Sequence, residues 1–517
     1  MKALLSILTG MVILTSCNEA SQTTVTKKEG GDSLQHSFNE PHRPQLHFSP
    51  EAHWMNDPNG MLFYNNTYHL FYQYYPDSTV WGPMHWGHAT STDLVHWTHQ
   101  PIALYPDSLG YIFSGSAVAD VNNTSGFGKD GKVPLVAIFT HHNPDGEKSG
   151  STTYQNQSLA YSLDEGKTWT KYAGNPVLKN PGIKDFRDPK VSWHADSKKW
   201  IMTLATLDRI SFYSSPDLKS WTKESEFGKQ FGAHGGVWEC PDLFPMDYQG
   251  KKIWVLLVSI NPGGPNGGSA TQYFTGTFDG KTFTPFQTDI RWIDNGPDDY
   301  AGVTWGNTGD RRLFLGWMGN WQYAQVVPTK TWRSAMTVPR DLSLEKIGDR
   351  YFLRSQPAPE LDQLNEKPEF SATDMDGHQF DLTAKAGKLS GPSRLRLASD
   401  HISSYTITLS NASGEKVVIG YDSSRHQYYI DRTASGETAF EKGFAGRHTA
   451  PRIALSDSTS LELIIDKASV ELFADNGLTV MTEIFFPKQD YTDIRIASAA
   501  PFQIKKISLN GMRSIYQ

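Results

Sequence analysis

Cysteine is almost absent: Cys17 and Cys240 are the only two in 517 residues. That excludes a scaffold stapled by several disulfides and leaves the fold to stand on its own core. Blocks of like charge are also missing. The net charge of −7 is spread along the chain, which argues against a nucleic-acid or membrane-surface partner. Long helical periodicity is absent, and beyond the first residues so are long apolar runs.

What is present begins with a targeting segment. Lys2 precedes an apolar run from Ala3 to Leu14, too short to be retained as a membrane-spanning helix. It ends in Leu14-Thr15-Ser16-Cys17, which resembles a bacterial lipoprotein signal. The expectation is a signal over residues 1–17, cleavage before Cys17 and lipidation of that cysteine, placing the protein on the cell envelope by a lipid anchor alone. Residues 18–43 are polar and rich in Ser, Thr, Gly and Lys, and read as a flexible tether.

From about residue 44 the texture changes. Short apolar and aromatic runs alternate with Gly, Pro, Asn and Asp clusters, as in Leu135-Val136-Ala137-Ile138-Phe139 and Ile253-Trp254-Val255-Leu256-Leu257-Val258. These are strand signals. The 15 Trp and 22 Tyr favour an all-β protein that handles carbohydrate. A weak repeat runs through the region. Ser91-Thr92-Asp93-Leu94-Val95-His96-Trp97 recurs as Ser162-Leu163-Asp164 leading to Trp169, and as Ser215-Pro216-Asp217 leading to Trp221. Thr277-Phe278-Asp279-Gly280 leading to Phe283 is a degenerate copy. Spacings of 71, 53 and 62 residues between the Asp positions suit four-stranded propeller blades, each copy being an outer hairpin. Residues 44–353 have room for five blades. Unrelated hairpins with shared turn chemistry are the alternative. Past residue 353 Trp disappears. Pro357-Ala358-Pro359-Glu360 reads as a linker, and alternating strands such as Tyr405-Thr406-Ile407-Thr408-Leu409 follow. Residues 354–517 are therefore expected to hold a linker and a β-sandwich.

Three carboxylates stand in rigid or aromatic settings. Asp57 lies in Trp54-Met55-Asn56-Asp57-Pro58-Asn59-Gly60, a turn fixed by Pro and Gly; the plain alternative is an Asx-turn. Asp188 lies in Phe186-Arg187-Asp188-Pro189. Adjacent side chains of a strand face opposite ways, but at a strand end or bulge Arg187 and Asp188 could reach one ligand. Glu239 lies in Val237-Trp238-Glu239-Cys240-Pro241-Asp242, where Trp238 and Cys240 are expected to form an apolar flank that raises its pKa. An ionised Asp and a protonated Glu are the two partners glycoside hydrolysis needs.

These segments, together with Phe113-Ser114-Gly115-Ser116-Ala117, Trp81 to His88, and Trp332-Arg333 through Pro339-Arg340, resemble the ordered motifs of glycoside hydrolase family 32. That family holds the invertases, levanases and inulinases. The resemblance runs from about residue 44 to the C-terminus. It implies a five-bladed propeller followed by a sandwich, and a retaining double displacement on β-fructofuranosyl bonds of levan, inulin or sucrose. It makes Asp57 the nucleophile, Glu239 the general acid and base, and Asp188 with Arg187 the holder of fructosyl hydroxyls. The two catalytic carboxyl groups are then expected about 5 to 5.5 Å apart. Asn56, Gln73 and Ser114 become hydrogen-bond partners of the sugar. Trp54, Trp81, Phe113 and Trp317 become pocket walls, and Asp299 with Tyr300 a further ligand-facing segment. Cys240 is a neighbour that tunes Glu239, not a nucleophile.

The aromatics of Gly316-Trp317-Met318-Gly319-Asn320-Trp321-Gln322-Tyr323 favour a closed pocket and exo action. Endo cleavage, fructosyl transfer and a non-catalytic fructan-binding propeller are the alternatives. No cofactor or metal is expected, despite His85-x-x-His88 and His141-His142, because typical zinc sites need three or four convergent ligands. A monomer is expected.

Overall fold

The computed structural model describes residues 38–516; Cys17 and most of the expected tether lie outside them. Helix is confined to a few short turns, and among the described residues no helix is long and apolar enough to cross a membrane. The chain packs from Phe38 onward, six residues before the expected start of the propeller at residue 44: Phe38 stacks on Tyr516 and Arg43 is fully buried.

Five antiparallel sheets form the propeller. Their innermost strands are His53–Tyr64, Tyr111–Ala119, Phe186–His194, Val237–Tyr248 and Tyr300–Thr304, which open blades 1 to 5. Trp332–Arg333, far along the chain, pairs in parallel with His53 and Trp54 and ties blade 5 to blade 1. Blade 5 ends with Arg350–Pro357, a few residues past the expected boundary. Each blade packs on its neighbours by both faces. That explains why Leu135–His142 is buried at every position and Lys199–Thr206 at all but its first, giving continuous apolar runs instead of alternation.

The repeated hairpins fall where the spacing put them, between the third and fourth strands of blades 1 to 4. In blade 1 the Ser91 hydroxyl donates to Asp93, which accepts the backbone N–H groups of Val95 and His96. The Trp97 ring N–H then caps the turn at the Leu94 carbonyl. Blades 2 and 3 repeat this with Ser162, Asp164 and Trp169, and with Ser215, Asp217 and Trp221. In blade 4 only Asp279 survives, accepting from Lys281 and Thr282. The carboxylate closes the turn and the indole covers the sheet edge.

After the turn Pro359–Leu364 the chain forms the second module. Its longest strand, Asp493–Met512, pairs with Tyr405–Ser410 through residues 493–497 and with Ser393–Ser399 through residues 506–511. One strand thus serves both sides of a single apolar core, which holds Leu395, Ile407, Leu463, Leu472 and Ile507. Here strands such as Tyr405–Ser410 bury every second residue, as a half-exposed sheet requires.

Candidate active site

Every inner strand breaks its pairing register near its N-terminal end. The breaks fall between Met55 and Pro58, between Ile112 and Gly115, at Asp188 and Pro189, between Glu239 and Asp242, and between Tyr300 and Val303. A β-bulge re-aims a side chain that strict alternation would turn away. Three bulge residues, Asp188, Cys240 and Ala301, have φ of 64°, 44° and 54°, a region that non-glycine residues seldom enter. Five bulges at one end of the ring bring Asp57, Ser114, Asp188, Glu239 and Tyr300 together, one from each blade.

Asp57 is held by neutral donors. Ser114 Oγ donates to Oδ2 at 2.6 Å, Asn56 Nδ2 to Oδ1 at 3.0 Å, and Cys240 Sγ approaches Oδ2 at 3.4 Å. Asn56 is itself fixed by the Trp54 ring N–H at 2.7 Å. Asp188 Oδ2 accepts the Cys240 backbone N–H at 3.0 Å, and its own N–H bonds Thr140. Glu239 is held differently. Arg187 reaches its Oε1 through Nε at 3.2 Å and Nη2 at 3.0 Å, while Tyr300 donates its hydroxyl to Oε2. Arg187 is anchored on its far side by Asp185 at 2.6 Å.

Burial pushes the Asp57 carboxyl up, with the charge of Glu239 adding and the bonds from Ser114, Asn56 and Cys240 opposing. Burial also drives Asp188 up, to about 7; Arg187 opposes this and the charges of Glu239 and Asp57 reinforce it. The Cys240 thiol is pushed well up by burial and by three neighbouring carboxylates, so it stays neutral and is no nucleophile.

A cavity of about 240 Å³ opens beside this group, without Asp57, Asp188 or Tyr300 among its lining residues. The expected residues Asn56, Gln73, Trp81, Phe113, Ser114, Arg187 and Glu239 line it, together with His142, Glu147, Tyr154, Gln155, Asp185 and Trp321. Gln73 is set by the Ile112 carbonyl at 3.0 Å. Phe113 meets Trp81 edge-on and stacks on His142 with centroids 4.1 Å apart.

Several expectations need correction. Trp54 and Trp317 are fully buried and do not line this cavity. Trp54 stacks on Trp321, which is the wall, and Trp317 packs against it at a tilt. Asp299 does not face a ligand: it pairs with Arg340 at 2.9 Å in the seam between propeller and sandwich, and the next residue, Tyr300, enters the site. Glu239 has no apolar flank. Trp238 turns into the core and donates to the Ala233 carbonyl, and Cys240 touches Asp57 and Asp188. Tyr154, Gln155, Asp185 and Glu147 carry no motif that marks them in the sequence. His141 bonds Ser158 and His88 bonds His69, duties internal to blades 2 and 1. Among the described residues no group of three or more His, Cys, Asp or Glu side chains is arranged to hold a metal ion.

Residues 47–357 match the N-terminal domain of glycosyl hydrolases family 32, and residues 353–510 match that family's C-terminal domain. A levanase of Bacillus subtilis is 43% identical over 492 residues, covering 93% of this chain and 72% of that one. An extracellular exo-inulinase of Aspergillus niger is 43% identical, covering 90% and 94%. Among solved structures, an exo-inulinase from Aspergillus awamori superposes with a TM-score of 0.85 at 40% identity, over 92% of this chain and 99% of that one. A fructofuranosidase from Schwanniomyces occidentalis complexed with fructosylnystose gives 0.83 at 34%, over 91% and 98%.

Proposed function

We propose that this chain, which belongs to glycosyl hydrolase family 32, is an exo-acting fructan β-fructosidase that works with retention of configuration. Its class is that of the β-fructosidases of fructans and sucrose, the activity its relatives' names carry. The observation that supports the mechanism is the unequal support of two neighbouring carboxylates, of which Glu239 lines the cavity. Asp57 has only neutral donors, which leave an ionised carboxylate free to form a bond. Glu239 lies between a cation and a phenol, in a position to give up and take back a proton.

In the first step Asp57 attacks the anomeric carbon of a β-fructofuranosyl unit. The bond to the leaving oxygen breaks, and Glu239 supplies that oxygen's proton. In the second step water gives its proton to Glu239 and attacks the same carbon, and the ester to Asp57 breaks. Asp188 binds ring hydroxyls and so holds the fructosyl ring in place for both steps. Trp81, Phe113 and Trp321 close the cavity around one terminal fructose, which supports exo action. The reading also retains the lipid anchor at Cys17 and an envelope location, which labelled fatty acid lost on Cys17→Ser would check.

The test is the early products from levan, inulin and sucrose, separated while little substrate has been consumed. Fructose alone from the polymers is expected. A ladder of oligosaccharides would replace exo with endo action, and binding without product would remove the enzymatic reading altogether.

A further inference from the structure

The sandwich grips the two short segments that bring Tyr300 and Trp321 to the catalytic cavity. Its central residue is Arg432, fully buried in the second module. Arg432 Nη1 reaches Asp298 Oδ2 at 2.6 Å, and Nη2 donates to the Tyr323 hydroxyl at 2.9 Å. Tyr323 in turn donates to Asp298 Oδ1 at 2.5 Å. The Ile484 backbone N–H from the sandwich takes Asp298 Oδ2 as well, at 3.0 Å. The guanidinium lies over the Phe444 ring at 3.9 Å, and its Nε donates to the Phe444 carbonyl, so the fork is fixed from its own side.

Asp298 stands two residues before Tyr300, which holds Glu239. Tyr323 stands two residues after Trp321, which walls the cavity. Asn320 also ties the segments together, donating to the Pro297 carbonyl at 2.8 Å. Arg432 thus links both segments to one charged group of the other module. We infer that Arg432 is a positioning residue for the reaction: through Asp298 and Tyr323 it sets where the Tyr300 hydroxyl and the Trp321 ring stand, and so how well Glu239 delivers its proton. The sandwich is then part of the catalytic apparatus without touching substrate. This rests on the role proposed above for Glu239.

The test compares two substrates whose leaving groups differ. Fructan needs its leaving oxygen protonated; an aryl β-fructofuranoside with a nitrophenol leaving group does not. For Arg432→Lys and Tyr323→Phe, measured well below their melting temperatures, kcat/KM, which reports the first step alone, is expected to fall by about ten-fold or more on levan or inulin and by less than about three-fold on the aryl fructoside. Tyr300→Phe should show the same split, and Arg432→Lys combined with Tyr300→Phe should lose clearly less than the product of the two single losses, because both act in part through the Tyr300 contact. Tyr323→Phe keeps the buried ring and removes only the hydroxyl, so it answers the question if Arg432→Lys does not fold. Equal losses on both substrates, no loss in either folded variant, or losses that multiply in the double variant would overturn the inference. Wild-type protein inactive on both substrates would instead overturn the functional reading and this inference with it.

Discussion

At the catalytic cavity one guanidinium, Arg187, serves Asp185, Asp188 and Glu239; at the seam between propeller and sandwich another, Arg340, serves Asp294, Asp299 and Glu471. Both arginines are deep and both stand among three carboxylates, although Arg187 pairs with Asp185 and Glu239 and reaches Asp188 through its charge alone. The difference lies in what surrounds them. Glu471 also accepts the Val338 N–H and His47 Nε2, and Asp294 accepts the Thr482 N–H and hydroxyl. None of Asp294, Asp299, Arg340 and Glu471 lines the catalytic cavity. Burial works against Glu471, but Arg340 and His47 outweigh it and bring its carboxyl below the usual range. At the cavity the same ingredients stay incompletely matched, and burial wins at Asp57 and Asp188. A raised carboxyl is nevertheless no mark of a site by itself. Asp299, sealed in the seam, is raised well up by burial too. What separates the two regions is access to open space.

That comparison breaks first if Asp57→Ala or Glu239→Ala leaves turnover near normal. Each is expected to lower kcat on fructan by about 10³-fold or more, with the melting temperature close to wild type. Next, the two arginines should fail in opposite ways. Arg340→Met strands Glu471 in a dry site and should cost about 3–5 kcal/mol of stability, read by chemical unfolding. Arg187→Met should cost most of the fructan activity with a smaller stability loss, because its partners face the cavity. Equal destabilisation by both would erase the distinction.

The smallest effects are those of pH, and they sharpen it. Asp188 has its folded pKa at about 7, above the ordinary value of 3.8. Between those values the folded chain holds a proton the unfolded chain has released, so the contribution of Asp188 to stability falls as pH rises through that window. Asp188→Asn should therefore melt a few degrees above wild type at neutral pH, and the gain should vanish below about pH 4. His47 lies at the seam between Asp466 and Glu471, each 2.8 Å away. Burial pulls its pKa down, but the two carboxylates hold it up at about 9, above the ordinary 6.5. Its stabilisation is complete below pH 6.5 and lost as pH rises through about 9. His47→Gln should thus lower the melting temperature most in mildly acidic buffer and least above pH 9.

The sequence was most readable where chemistry is local. The hairpin copies at Asp93, Asp164 and Asp217 each complete their turn within a few residues, so spacing alone revealed the blades. Asp57, Ser114, Asp188 and Glu239 sat in motifs long enough to be matched. Reading failed where it depended on which way a side chain faces. Asp299 and Tyr300 are neighbours on one strand edge, and the site takes the second; Trp317 and Trp321 lie four residues apart, and the cavity takes the second. At Tyr300 facing is decided by a bulge, and a bulge is a property of two strands that no single segment spells out; Trp321 lies in a turn beyond its strand, which strand alternation does not reach. Glu239 was misjudged for the same reason: its sequence neighbours point away, and its partners Arg187 and Tyr300 come from other blades.

The central claim is that Asp57 forms a covalent bond to the sugar while Glu239 handles protons, and trapping tests it most directly. Glu239→Gln incubated with an aryl β-fructofuranoside should accumulate the intermediate, because the second step lacks its base. Peptide mapping by mass spectrometry should then find one fructosyl group on the peptide that carries Asp57. A fructosyl group on Asp188, or no adduct alongside a product of inverted configuration, would contradict the account.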